Sequence, residues 1–149
     1  MKSIFNASAY NEILDRIELL NEDSAGQWGK MDVAQMLSHC QKPLAVALGR
    51  KSLKKPNVFM KLVLRSFKSA MYNDRPWKKN METVPEYLVD SKQDFSNEKN
   101  ALKEILSDFY ELRTREKWDP HPSFGHFTHD QWGMLQYKHL DHHLKQFGV

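Results

Sequence analysis

The chain contains a single cysteine, Cys40, among 149 residues, so no disulfide can close within it. A cytoplasmic setting is the expectation from that usage. No stretch approaches the roughly 20 consecutive apolar residues that span a bilayer, so no membrane partner is expected. The opening residues MKSIFNASAYNEILDR have no apolar core of their own, and a cleaved leader is not expected. Strand signals are also missing: there is no Asn-Gly or Asp-Gly turn and no sustained apolar/polar alternation. One region is poor in acid. Between Arg50 and Lys79 stand ten Lys/Arg and one carboxylate, Asp74. That segment reads as a basic surface, either a solvated crossover or a patch that draws in an acidic cosubstrate. The overall net charge of +3 does not by itself call for a nucleic acid.

With 40% apolar and 28% charged residues, the composition is that of a globular chain, and 149 residues suit one domain, 1–149. Helical periodicity dominates. A first helix is expected over about residues 9–21, capped by Ser8, with Ile13, Ile17 and Leu20 forming an apolar stripe. A second begins after Asp32, where Asp32 and Gln35 have capping-box spacing, and ends at Gly49. Pro43 inside it clashes with the carbonyl of His39, which predicts a bend there. Residues 57–72 read as a basic amphipathic helix. Packing on the core with snorkelling lysines is the expectation, and lying on a membrane surface is the alternative. An irregular connection with Pro76 and Pro85 follows. A further helix starts near Ser96 or Asn97 and runs to about Arg113, turning Ala101, Leu102, Ile105, Leu106, Phe109 and Leu112 inward. The last is capped by Thr128 with Gln131 and runs to about Phe147, before Gly148. The fold class is therefore all-α, four long helices with an extra one in the crossover, and such bundles place metal sites between facing helices.

The histidines carry the chemistry. His139 and His143 stand four apart on the last helix, so both rings leave one face. With His139 at zero, Gln146 falls at about −20°, Trp132 at about +20°, Leu135 at about −40° and His143 at about +40°. His142 falls at about −60°, toward Lys138 and Lys145, so His143 is the chosen partner. His39, on the second helix, completes a candidate triad: three neutral imidazoles hold a divalent ion and leave positions open. Leu140 stands where a zinc protease has its glutamate, which argues against that class. His121, His126 and His129 cluster before the last helix as surface residues or as the rim of a pocket. Trp28 and Trp132 read as core anchors, and Cys40 as a small buried thiol.

Three stretches together resemble the DinB/YfiT-like superfamily of metal-binding four-helix bundles. They are WGKMDVAQMLSHC, with a Trp loop leading to His39; HPSFGHFTHDQWG before the last helix; and YKHLDHHLKQF, which sets His139, His143 and Gln146 in a His-x-x-(His)-His-x-x-Gln arrangement. The resemblance implies an up-down-down-up four-helix bundle with a long second crossover, one divalent ion, most often nickel or zinc, on a histidine triad, and a homodimer. It implies no nucleic-acid partner, and the chain has no helix-turn-helix pattern. Characterised relatives include thiol-dependent S-transferases and isomerases, and some metal-dependent hydrolases.

Three functions follow as expectations. In the first, a thiol transferase, the ion activates a low-molecular-weight thiol cosubstrate toward a small-molecule electrophile. The second, a hydrolase, uses an activated water, but no carboxylate base shares the inward face. The third is a metal-binding module with a closed coordination sphere. Gln35, Gln146, His126 and Trp132 are the candidates for orienting ligands or lining the pocket.

Overall fold

The computed structural model describes residues 1–149. It contains five α-helices and no strand: α1 (Ala7–Leu19), α2 (Val33–Ala47), α3 (Val58–Ser66), α4 (Phe95–Glu111) and α5 (His129–Gln146). Short 3-10 turns occupy Lys68–Met71, Pro85–Tyr87 and Leu112–Thr114. The all-α expectation holds.

Helix boundaries follow local chemistry. At the start of α2, Asp32 Oδ1 accepts from Gln35 N (2.8 Å) while Gln35 Oε1 accepts from Asp32 N (3.1 Å). Thr128 and Gln131 repeat the device at α5. Each box satisfies two of the amides that a helix start leaves unpaired. Two expected starts were misplaced. α1 begins at Ala7 after Asn6, not at Ala9 after Ser8, and Asn6 makes no side-chain cap. α4 begins at Phe95 because Asp94 Oδ1 caps Asn97 N (2.8 Å). α2 runs unbroken through Pro43 and stops before Gly49, whose φ is +73°.

α2 packs against α4 and α5, and α1 against α5 and α4. Their shared core buries Ile13 and Ile17, Met36, Leu37 and Leu44, Leu102, Leu106 and Phe109, and Leu140 and Leu144. Each such side chain contributes about 1.5–3 kcal/mol over an exposed one. Truncating one of them, as in Leu37→Ala, costs about 2–5 kcal/mol.

The crossover after α2 is strapped down by cations and ring nitrogens. Lys138 Nζ donates to the carbonyls of Ala70 and Asn73 (2.8 Å each) and to Asn73 Oδ1 (2.9 Å). Lys42 Nζ donates to Leu88 O, and Trp77 Nε1 donates to Ala70 O. The Lys138 side of α5 was expected to face outward. Instead Lys138 is buried, because the crossover drapes over it and supplies carbonyls in place of water.

α3 departs further from expectation. The helix expected over 57–72 ends at Ser66, and it does not pack on the core: none of its residues is buried. Val58, Phe59 and Leu62 are 88%, 74% and 69% exposed. The apolar residues of this stretch outnumber what one side of a short helix can hide. No helix is long and apolar enough to cross a membrane.

Candidate metal centre

His39 comes from the middle of α2, and His139 and His143 from successive turns of α5, with all three rings buried. One ring nitrogen from each lies within 4.8 Å of the other two, and no other His, Cys, Asp or Glu joins the group. His39 Nε2 and His139 Nε2 are 3.1 Å apart. Two nitrogens each bound at about 2.0–2.1 Å to one zinc ion lie roughly 3–3.4 Å apart, so this pair has the spacing that a shared ion requires.

Two of the rings have their tautomers set by neighbours. His39 Nδ1 lies 2.8 Å from Tyr87 O, and a carbonyl can only accept. The Nδ1 proton therefore points at Tyr87, and Nε2 keeps a free lone pair. His143 Nδ1 lies 2.8 Å from Gln146 Oε1, and Gln146 Nε2 donates to Trp28 O (2.6 Å). The Trp28 carbonyl fixes which way the amide points, so His143 Nδ1 donates and its Nε2 is free. Such outer partners orient metal-binding imidazoles. His139 Nδ1, by contrast, is buried with no partner.

Burial lowers the basicity of all three. His143 is pushed down to about 3, first by desolvation and then by His39. Desolvation also lowers His139, well below the usual imidazole range, and His39. The rings are thus neutral at pH 7, the form that binds a metal. A buried trio of neutral imidazoles with two oriented lone pairs fits a divalent cation.

The crossover and the loop before α2 close over this group. The Trp77 ring lies 6.0 Å from His139 and 5.8 Å from His142, and Trp28 lies 5.8 Å from His142. Tyr87 meets His39 edge-on at 6.2 Å, and its hydroxyl is buried and unpartnered. Beside Trp28, Trp77 and His142 opens a cleft of about 740 Å³. Its carboxylates are already paired: Glu12 with Lys2, Asp141 with Arg16 and Lys145, and Asp74 with the Met1 amine. Arg75 and Lys79 on its wall have no carboxylate partner, and the Lys79 ammonium sits 4.3 Å above the Trp28 ring.

Of the residues expected around the triad, only Gln146 touches it. The Gln35 amide is spent on its cap and on Ser91 O (3.3 Å) and bonds to none of the imidazoles. His126 is exposed, and only its carbonyl is engaged, by Lys68. Trp132 is a core residue, packed on Trp118, His121 and Phe127 two turns from His139. His121 is buried, accepts from Ser123 N and is pushed down to about 4 by desolvation. His129 stacks on Phe5 at 4.2 Å. Trp28 is half-buried on the cleft wall rather than in the core. Cys40 is buried, its thiol pushed up by desolvation, and contacts Met36 rather than the triad.

Trp77, Tyr87 and Lys138 were missed. Their signal is purely tertiary: two lie in an irregular crossover without periodicity, and the third looks solvent-facing on a bare helical wheel. Gly29, in the loop with Trp28, has φ +85°, and a Cβ there would come within 2.4 Å of Gln146 Nε2. Only glycine lets this loop reach the amide that orients His143.

No curated protein and no solved structure matches this chain. Residues 3–148 match DUF1569, described as a protein of unknown function, and by that match over nearly its whole length the chain belongs to the DUF1569 family.

Proposed function

We propose that this protein is a metal-dependent enzyme of DinB-like architecture, in which α1, α2, α4 and α5 form an up-down-down-up bundle, and that it transfers a small thiol to an electrophile. The observation that supports this reading is the convergence of His39, His139 and His143 within 4.8 Å, without a fourth protein ligand. Nickel and zinc both suit imidazole donors. A divalent ion held there supplies positive charge that lowers the pKa of a thiol bound beside it.

The chain's own residues do the rest. Gln146 and the Tyr87 carbonyl hold His143 and His39 in one tautomer. Trp77 packs over His139 and limits water at the rings. The neighbouring cleft is walled by Trp77 and His142 rather than by the triad rings, and a carboxylate-bearing cosubstrate reaching past Trp77 would find the charge of Arg75 and Lys79 and the flat apolar face of Trp28 there. Hydrolysis is the weaker reading, because Glu12, Asp74 and Asp141 are ion-paired and no carboxylate is bonded to the triad. A closed structural site would need a fourth donor, and the cluster has three.

The test begins with elemental analysis of protein purified without a histidine tag. One equivalent of nickel or zinc is expected. The loaded protein is then given glutathione, bacillithiol or mycothiol with monochlorobimane. Turnover that needs both metal and one thiol is expected. A stoichiometric metal with no turnover on any thiol, but with ester or amide cleavage, would transfer the proposal to the hydrolase.

A further inference from the structure

The segment between residues 51 and 73 combines two features that a surface helix seldom keeps together. It carries Lys51, Lys54, Lys55, Lys61, Arg65 and Lys68 and no carboxylate. None of these six cations is in an ion pair. The same segment also exposes Val58, Phe59 and Leu62 on α3, with Phe67 59% exposed just beyond it.

These side chains are ordered around the helix. Taking Val58 as zero, Leu62 lies at about 40° and Phe59 at about 100°, while Arg65 and Lys61 lie at about −20° and −60°. The apolar arc is thus bordered on one edge by two cations. The opposite side, at about 140° to 240°, holds Val63 and Leu64, which are half-buried, with Met60 between them 45% exposed. α3 therefore leans on the molecule by Val63 and Leu64 and turns Val58, Phe59 and Leu62 outward. Behind it, Arg65 lies against Gly125, and Lys68 donates to the His126 carbonyl.

From this arrangement we infer that α3 is a docking element for an anionic phospholipid surface. An apolar arc bordered by cations is how a helix lies in a membrane interface, its hydrophobic side chains among the acyl chains and its ammonium groups at the headgroups. Lipid phosphates supply the counter-charge that the protein withholds from its own cations. A second copy of the chain is the poorer partner. A two-fold contact through α3 would set one acid-free segment against its twin, with like charges facing. An acidic helix from another protein would need a groove with two walls to lie in, and the hollow on this face is lined by α3 residues alone. This surface is independent of the histidine triad, and metal-free protein would show the same behaviour.

The test is co-sedimentation of the full chain with vesicles. Binding is expected to vesicles of phosphatidylcholine containing about a third phosphatidylglycerol, at least tenfold tighter than to phosphatidylcholine alone, and to fade in 0.5 M salt. Two exposed double variants separate the parts: Phe59→Ser with Leu62→Ser, and Lys55→Glu with Lys61→Glu. Each is expected to weaken partitioning at least tenfold while leaving the unfolding midpoint unchanged. Absence of binding to the anionic vesicles at low salt would overturn the inference. So would binding that survives the loss of Phe59 and Leu62, since that is charge attraction without insertion. A dimer in solution that the serine variant converts to monomer would give the face to a second copy instead. Binding to polyglutamate but not to vesicles would give it to an acidic protein.

Discussion

Gln146 Oε1 lies 2.8 Å from His143 Nδ1, and this contact decides which nitrogen of the ring is left for a ligand. The amide cannot turn over, because its nitrogen is held by the Trp28 carbonyl. One glutamine thus links the loop before α2, the end of α5 and the triad.

Gln146→Ala should therefore keep the fold and weaken the metal site. Loss of a partner of this kind lowers metal affinity about 10–100-fold. Competition with a chromogenic chelator would measure it. Affinity equal to that of the unaltered protein would show that His143 is oriented by its packing alone.

Replacing His139 with Ala should abolish stoichiometric metal, since its Nε2 is one of the two nitrogens spaced 3.1 Å apart. The neighbouring change, His142→Ala, should leave the metal content unchanged. His142 stands outside the cluster and packs on Trp28 and Trp77. Mass spectrometry of the metal-loaded variants decides it, and equal losses at the two positions would refute the ligand assignment.

Glycines 29 and 49 form a matched pair. Both have positive φ, so alanine at either costs about 1 kcal/mol in backbone strain. At Gly49 a Cβ meets nothing within 4 Å, whereas at Gly29 it would lie 2.4 Å from Gln146 Nε2. Gly49→Ala should lose only that strain and keep its metal affinity. Gly29→Ala should lose more stability and bind metal more weakly. Urea unfolding together with metal titration would separate the two, and identical behaviour would remove the loop from the site's support.

Acid should destabilise the metal-free protein. Burial holds His143 near 3 against an ordinary 6.5, and lowers His39 and His139 in the same direction. Below about pH 6.5 the unfolded chain takes up protons that the folded chain refuses, so the stability present above that pH declines as pH falls toward 3. At about 1.4 kcal/mol per pH unit, His143 alone accounts for roughly 2 kcal/mol at pH 5. Urea midpoints at pH 7.5 and 5.0 should differ accordingly. Equal midpoints would mean that the rings are already solvated. Metal binding should weaken over the same range, because protons compete for the same nitrogens.

Much of this was legible in residue order. Ile13, Ile17, Leu102, Leu106 and Phe109 announce their burial by spacing, and both capping boxes were readable because their parts lie three residues apart. The choice of His143 over His142 followed from an angle on a helix. The failures share one cause. Ser8 has a capping side chain, yet α1 starts before it, after Asn6, where no side chain caps the helix. Trp132 and Gln35 occupy suitable positions, but their side chains are claimed by partners distant in sequence: Trp132 by Trp118, and Gln35 in part by the Ser91 carbonyl. α3 carries a pattern that would suit a core, and no core remains to receive it.

The sequence by itself determined the helices, the inward arc of α5 and the presence of histidines on two helices, because all of these depend on neighbours within a turn or two. Only the tertiary structure decided that His39 meets His139, that the crossover brings Tyr87 and Trp77 over the triad, and that α3 is left uncovered. Those outcomes depend on contacts between residues dozens of positions apart. Such contacts are set by which surfaces pack together in three dimensions, and no local spacing encodes that competition.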